Sequence, residues 1–326
     1  MNNKVNNKES QAHRRPNIIF IMTDDQGPWT LGVGNNPNVR TPNLDRLARS
    51  GAQLENYFGV AAVCSPCRAS VITGRYSTEV GITDFIPGGS DKKEAALGLA
   101  GDIQTWPQVF QENGYATALV GKWHLGVKDE HHPTRFGYEE FKGWRTGAGI
   151  SKDPEIEIEG KNKKYSGYTP DILTDFACEY IEKRKSEDNP FLLSLHYWAP
   201  HANTQNNTAE GDRTWLPLSE KDWGKFKEMD PILPDPDYPG LDLPRLKRMT
   251  REYLGAVHSV DRNLGKLLEQ VENSGIKDNT VIIFTSDNGF NMGHNGIWHK
   301  GNGRWLLQEY PDAPRPNLYD NTLRLP

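Results

Sequence analysis

Asn17-Ile18-Ile19-Phe20-Ile21-Met22 runs without interruption into Thr23-Asp24-Asp25-Gln26-Gly27, and the reading of this passage decides the fold. A half-solvated strand would alternate apolar and polar residues, so the unbroken run predicts a strand covered on both faces, as in a parallel sheet. The acidic turn then lies just past the strand's carboxyl end, where open α/β sheets place their sites. Three further stretches repeat the arrangement. Residues 280–285 (Thr-Val-Ile-Ile-Phe-Thr) lead into Ser286-Asp287-Asn288-Gly289, residues 191–198 deliver Pro200-His201, and residues 115–121 deliver Lys122-Trp123-His124. The continuous apolarity of 280–285 predicts a central strand.

Between the strands lie helical patterns. Leu246, Met249, Tyr253, Leu254, Val257 and Val260 open a stripe of three- and four-residue steps that continues to Val271, and Gly275 follows as a stop. Shorter helices are expected over 41–50, 105–113 and 169–185. Alternating helices and strands predict an α/β fold, a large and mostly parallel sheet flanked by helices on both faces. Residues 215–244 are rich in proline, aspartate and aromatics and read as a long loop over the pocket.

Composition narrows the class. With 326 residues, a net charge of −5 and a pI near 6.0, the chain offers no basic field for nucleic acid. No stretch approaches the ~20 apolar residues of a membrane helix. Residues 1–15 are polar, read as a disordered tail and lack the apolar core of a secretory signal. The expected location is therefore the cytoplasm, or the periplasm or exterior if an export signal has been removed. Three cysteines make no disulfide framework. Cys178, on an apolar stripe with Ile181, reads as a core thiol.

The remaining cysteines fall in Cys64-Ser65-Pro66-Cys67-Arg68-Ala69-Ser70-Val71-Ile72-Thr73-Gly74-Arg75. Pro66 suits a first helical turn, which puts Cys64 in the positive field of a helix N-terminus, with Arg68 able to steady an oxyanion beside it. A zinc or redox reading of Cys64 and Cys67 lacks a second ligand pair. Asp24, Asp25, Asp287 and Asn288 supply oxygens only, a set suited to calcium or magnesium. Each pair alone would serve equally as a turn or helix cap.

Together these motifs resemble the sulfatases of the alkaline phosphatase-like superfamily. Their Cys-x-Pro-x-Arg cysteine is oxidised after translation to Cα-formylglycine, and Thr73-Gly74-Arg75 matches the family's Thr-Gly-Arg. The resemblance implies one calcium held by Asp24, Asp25, Asp287, Asn288 and residue 64. It also implies catalytic roles for Cys64, Arg68, Lys122, His124, His201 and Lys300. Lys122 and His124 stand in the family's Gly-Lys-Trp-His-Leu-Gly string, complete here from 121 to 126.

In the implied chemistry the formylglycine hydrate attacks sulfur, Asp287 takes the proton, and Arg68, Lys122 and Lys300 offset the sulfuryl charge. His201, with Lys300, protonates the departing alcohol, and His124 deprotonates the second hydroxyl. His196 and His258 read as structural, and His294 as structural or lining the pocket. The expected partners are a sulfate ester, a carbohydrate one in preference to an aryl one, and a formylglycine-generating or anaerobic maturase. Trp29, Trp144, Trp298 and Trp305 are candidates for stacking on a sugar. The alternatives are a phosphonate or phosphate ester hydrolase, or an inactive binding protein unmodified at Cys64. Residues 16–326 are expected to form one catalytic domain that stops before the family's C-terminal subdomain, leaving an uncovered edge prone to self-association.

Overall fold

The structure, a computed structural model, describes residues 15–89, 92–203 and 215–326. Apart from Arg15, the expected N-terminal tail lies outside them. In chain order the elements are β1 (Asn17–Thr23), α1 (Pro42–Arg49), α2 (Cys64–Thr73), α3 (Lys92–Ala95), α4 (Trp106–Glu112), β2 (Ala116–Lys122), β3 (Glu140–Trp144), β4 (Glu155–Ile158) and β5 (Lys161–Lys164). They continue with α5 (Thr169–Arg184), β6 (Phe191–His196), α6 (Glu220–Trp223), α7 (Leu243–Asn273), β7 (Thr280–Ser286), β8 (Asn291–Met292), β9 (Ile297–His299), β10 (Arg304–Leu306), β11 (Pro311–Pro314) and α8 (Asp320–Leu323).

Seven strands form one sheet in the order β5-β4-β3-β2-β6-β1-β7. β3, β2, β6, β1 and β7 are parallel, and β4 and β5 extend one edge antiparallel. Alternate residues of β2 enter different cores: Ala118 and Val120 pack with Ile19, Ile21, Leu193 and Leu195 beneath α5 and α7, while Leu119 packs with Ile72, Trp123 and Tyr138 on the opposite face. Burying each large side chain there contributes about 2 kcal/mol. Both faces of the sheet are therefore apolar around β2, as its unbroken run required. α7 begins where the Asp242 side chain accepts a hydrogen bond from Arg245 N, and its apolar stripe is buried along its length.

Four expectations change. β7 is an edge strand: among the described residues it pairs only with β1, and Val281 and Ile283 are 44% and 43% exposed. Residues 215–244, mostly irregular apart from α6, are not merely a surface loop, because Trp215, Leu233 and Leu241 are buried in a core shared with the first half of α7. Trp298 belongs to that core and donates to Asp312 Oδ1 at 2.9 Å, so it packs and does not face a ligand. Cys178 is only half-buried, against the edge of the main core.

A second, four-stranded antiparallel sheet, β11-β10-β9-β8, follows β7. Sequence patterning missed it because its strands are two to four residues long. Arg245 of α7 fastens it with a two-pronged bond to Asp312 at 2.9 and 2.8 Å. The turn between β9 and β10 carries Lys300 back to the rim of the large sheet.

Candidate active site at the carboxyl rim of the sheet

Four strand ends, one helix start and one hairpin meet at this rim. β1 ends in Asp24 and Asp25, both fully buried, with Asp25 in the left-handed region at φ 66°. β7 leads into Asp287 and Asn288, also fully buried. The two ends are stitched together: Asp25 N donates to Asp287 Oδ1 (3.3 Å), Gln26 N to Ser286 Oγ (3.0 Å) and Asn288 Nδ2 to Asp25 Oδ1 (2.8 Å). Cys64 is the first residue of α2, a helix closed by Gly74 at φ 67°. At the end of β2, Gly121 (φ 111°) lies against His196 O so closely that a Cβ would come within 1.9 Å of it. Only glycine fits where Lys122 is turned into the site.

The cations converge on these acids. Lys122 Nζ bonds Asp24 Oδ2. Lys300 Nζ reaches Asp25 Oδ1 at 2.5 Å and Cys64 Sγ at 2.7 Å. Arg68 donates from Nε to Asp287 Oδ2 (2.8 Å) and from Nη1 to Lys122 O (3.1 Å). His201 sits with Nε2 3.6 Å from Asp25 Oδ2, its Nδ1–H donated to Ala202 O at 2.7 Å. His124, in left-handed backbone at φ 61°, points Nε2–H at Ile86 O (2.9 Å), leaving Nδ1 buried without a partner among the described residues. Nine of the ten expected residues thus touch one another directly, and His124 is in the same strand-end segment with no described contact to Cys64.

Burial and charge set the protonation states. Burial pushes the Cys64 thiol up, and Asp24 and Asp287 push it further against Lys122 and Lys300, which favours the thiol over the thiolate. Burial alone would raise Asp24, but Lys122, His201, Lys300 and Arg68 hold it well below the usual carboxylate range. Asp25 is likewise lowered, against burial, chiefly by Lys300 and His201. Asp287 moves the other way: burial and Asp24 outweigh Arg68, and its carboxyl is pushed up to about 6. Burial also lowers His201 and His124.

A cation fits this set. Ligand atoms of Asp24, Asp25, Cys64 and His201 all lie within 4.8 Å of one another. Asp25 Oδ2 and Asn288 Oδ1 are buried oxygens with no donor among the described residues, as a hard divalent ion would require. Arg68 Nη2 is likewise a buried donor without a hydrogen-bond acceptor, which suits an incoming oxyanion. Both oxygens of Asp287 are already engaged, by Asp25 N and Arg68.

Some contributors were not visible in sequence. Tyr253 donates its hydroxyl to Asp25 O at 2.7 Å, and its only sequence signal was a hydroxyl on an otherwise apolar helical stripe. Ser65 Oγ accepts from Ile86 N at 2.9 Å and ties the loop under His124 to α2. His196 accepts its structural reading, with Nδ1–H on Lys122 O at 3.1 Å, and His258 sits between Asp222 and Lys225. His294 Nδ1 accepts from Met292 N at 3.2 Å, with its ring 5.4 Å from that of Trp29.

Known proteins share this arrangement. The N-acetylglucosamine-6-O-sulfatase of Bacteroides thetaiotaomicron is 30% identical, aligned over 98% of this chain and 65% of its own length. The ulvan-active sulfatase of Formosa agariphila is 29% identical over 90% of this chain and 54% of its own. The chain thus spans between half and two-thirds of the length of these curated relatives. A protein solved in complex with its substrate D-glucosamine-2-N,6-O-disulfate superposes with a TM-score of 0.76 at 26% identity, covering 96% of this chain and 70% of that one. The sequence model of the Sulfatase family matches residues 16–311, and with the fold and the rim described above the chain belongs to the sulfatase family.

Proposed function

We propose that this chain carries the catalytic centre of a sulfuric ester hydrolase acting on a sulfated carbohydrate, with Cys64 converted to formylglycine. The observation that carries the reading is the convergence of Arg68, Lys122 and Lys300 on the buried carboxylates around Cys64, with two buried oxygens beside it that accept no hydrogen bond among the described residues. Among known relatives, the N-acetylglucosamine-6-O-sulfatase and the ulvan-active enzyme support a carbohydrate ester.

A divalent cation, calcium by the oxygen-rich donor set, would be held by Asp24, Asp25, Asn288 and residue 64 with Asp287 adjacent, and would supply positive charge for the sulfuryl oxygens and an acidified hydroxyl at residue 64. Lys122, Lys300 and Arg68 Nη2, which has no hydrogen-bond acceptor among the described residues and lies 3.6 Å from Asp24 Oδ2, bind and orient the sulfuryl group. Asp287, which meets Asp25 N and Arg68, is the carboxylate that would take a proton from the residue 64 hydroxyl. His201, pinned through Nδ1–H, keeps Nε2 free to carry a proton to the departing alcohol. His124, whose Nδ1 has no described partner, is the base for the second hydroxyl.

The test begins with the mass of the Cys64 peptide after expression with a maturase, where the aldehyde form carries oxygen in place of sulfur and has lost two hydrogens as well. It continues with parallel assays on 6-O-sulfated N-acetylglucosamine, an aryl sulfate and a phosphate monoester. Cys64→Ala should abolish turnover while calcium still binds. Near-native activity in Cys64→Ala would rule out the nucleophile, and preference for the phosphate ester would reassign the substrate class.

A further inference from the structure

The turn that carries two of the site's carboxylates is bonded to the β7 end through Asp25 N and Gln26 N, and it also takes one hydroxyl from α7, a helix that gives the site no other group. Asp25 lies at φ 66°, a conformation that favours glycine and persists in other residues only where the surroundings impose it. Tyr253 of α7, completely buried, supplies the part of those surroundings that Asp287 and Ser286 do not. Its hydroxyl donates to Asp25 O at 2.7 Å and accepts from Gly27 N at 3.0 Å, so one atom satisfies the carbonyl and the amide that the reversal would leave unpaired. Its ring stacks on Phe290, 5.0 Å away and tilted by 15°, two residues past Asn288. The hydroxyl therefore grips the β1 turn while the ring rests on the loop after β7.

We propose that Tyr253 is a positioning residue for the cation centre, fixing the backbone of Asp25 so that Oδ2 stays without a hydrogen bond beside His201 Nε2. The inference rests on the metal-centre reading given under the proposed function. Asp25 Oδ1 is already committed to Asn288 and Lys300, so Oδ2 is the oxygen left for a cation, and its aim follows the twist that Tyr253 holds. A buried tyrosine with a purely structural role would affect stability and leave cation affinity alone.

Tyr253→Phe keeps the ring and removes only the clamp. By isothermal titration it should bind calcium roughly 10- to 100-fold more weakly, the range found when groups supporting a metal ligand are removed. Val257→Ala, one helical turn on in the same core, should lose stability with nearly unchanged affinity. Hydrogen exchange in residues 23–28 of cation-free Tyr253→Phe should quicken while residues 17–22 keep their protection. Equal affinity in wild type and Tyr253→Phe, or an equal loss in Val257→Ala, overturns the clamp alone. A wild-type chain that takes up neither calcium nor magnesium overturns the clamp and the metal centre together. If Tyr253→Phe does not fold, exchange in the wild type decides: calcium must slow residues 23–28 together with 250–256, and slowing of 23–28 by itself overturns the proposal.

Discussion

Strands β1 and β7 lie side by side in parallel register, from Asn17 opposite Thr280 to Thr23 opposite Ser286, and each ends in a pair of oxygen-bearing side chains. Their sequences have the same unbroken apolar character, yet their surroundings differ. β1 has a neighbour on each side and buries Ile19 and Ile21 completely, whereas β7 is an edge strand among the described residues and exposes Val281 and Ile283. The ends differ electrostatically too. Asp24 and Asp25 are held below the carboxylate range by the cations around them, while Asp287 is pushed up to about 6. An apolar run records what the strand's residues tolerate on its faces; it does not count neighbours along its edges, and it does not set the protonation of the turn that follows.

The comparison is easiest to break at the strand ends. Asp25→Asn should weaken calcium binding roughly 100-fold or more and Asn288→Ala about tenfold, since only the first removes a charged ligand. Equal losses in calorimetry would erase the distinction between the two ends. Next in size is the core: Ile21→Ala should cost about 3 kcal/mol in denaturant unfolding, the range for deleting a buried branched side chain.

Acidity sharpens the comparison further. Because the Asp287 carboxyl is raised from 3.8 to about 6, the folded chain holds that proton more tightly than the unfolded one. Its contribution to stability is full below 3.8 and is lost as pH rises through about 6. Asp24 and Asp25, lowered, contribute in the opposite sense, above 3.8, and lose it on further acidification. Without cation, Asp287→Asn should therefore gain about 2 kcal/mol over wild type between pH ~4 and ~7. A constant difference across that window would show that Asp287 is not raised. The smallest effect belongs to the exposed face of β7, where Ile283→Thr should change stability by no more than about 0.5 kcal/mol. A loss comparable to that of Ile21→Ala would mean that something covers the face.

Much of this was legible in the chain itself. The parallel strands and α7 followed from runs of apolar residues and a helical stripe, because burial on two faces or on one leaves a pattern in sequence. Asp24, Asp25, Cys64, Arg68, Lys122, His201, Asp287, Asn288 and Lys300 could be singled out because they sit at strand ends or in motifs. Tyr253 could not, since a clamp to backbone atoms 226 and 228 positions away leaves no periodic trace. The small sheet escaped for a different reason: its short strands are held by side chains such as Arg245 and Asp312 more than by any pattern of their own.

The charges at the rim also carry a thermodynamic consequence. Asp24, Asp25 and Asp287 face Arg68, Lys122 and Lys300, with every one of these side chains at most 5% exposed, so three negative groups meet three positive ones and the cluster by itself has no surplus to attract an anion. On the proposed chemistry a divalent ion leaves two positive charges in excess, a better match for the sulfate dianion released than for the singly charged ester that enters. Product escape then becomes the electrostatic obstacle to turnover. Cation and sulfate become heterotropic partners, each tightening the other by one shared factor.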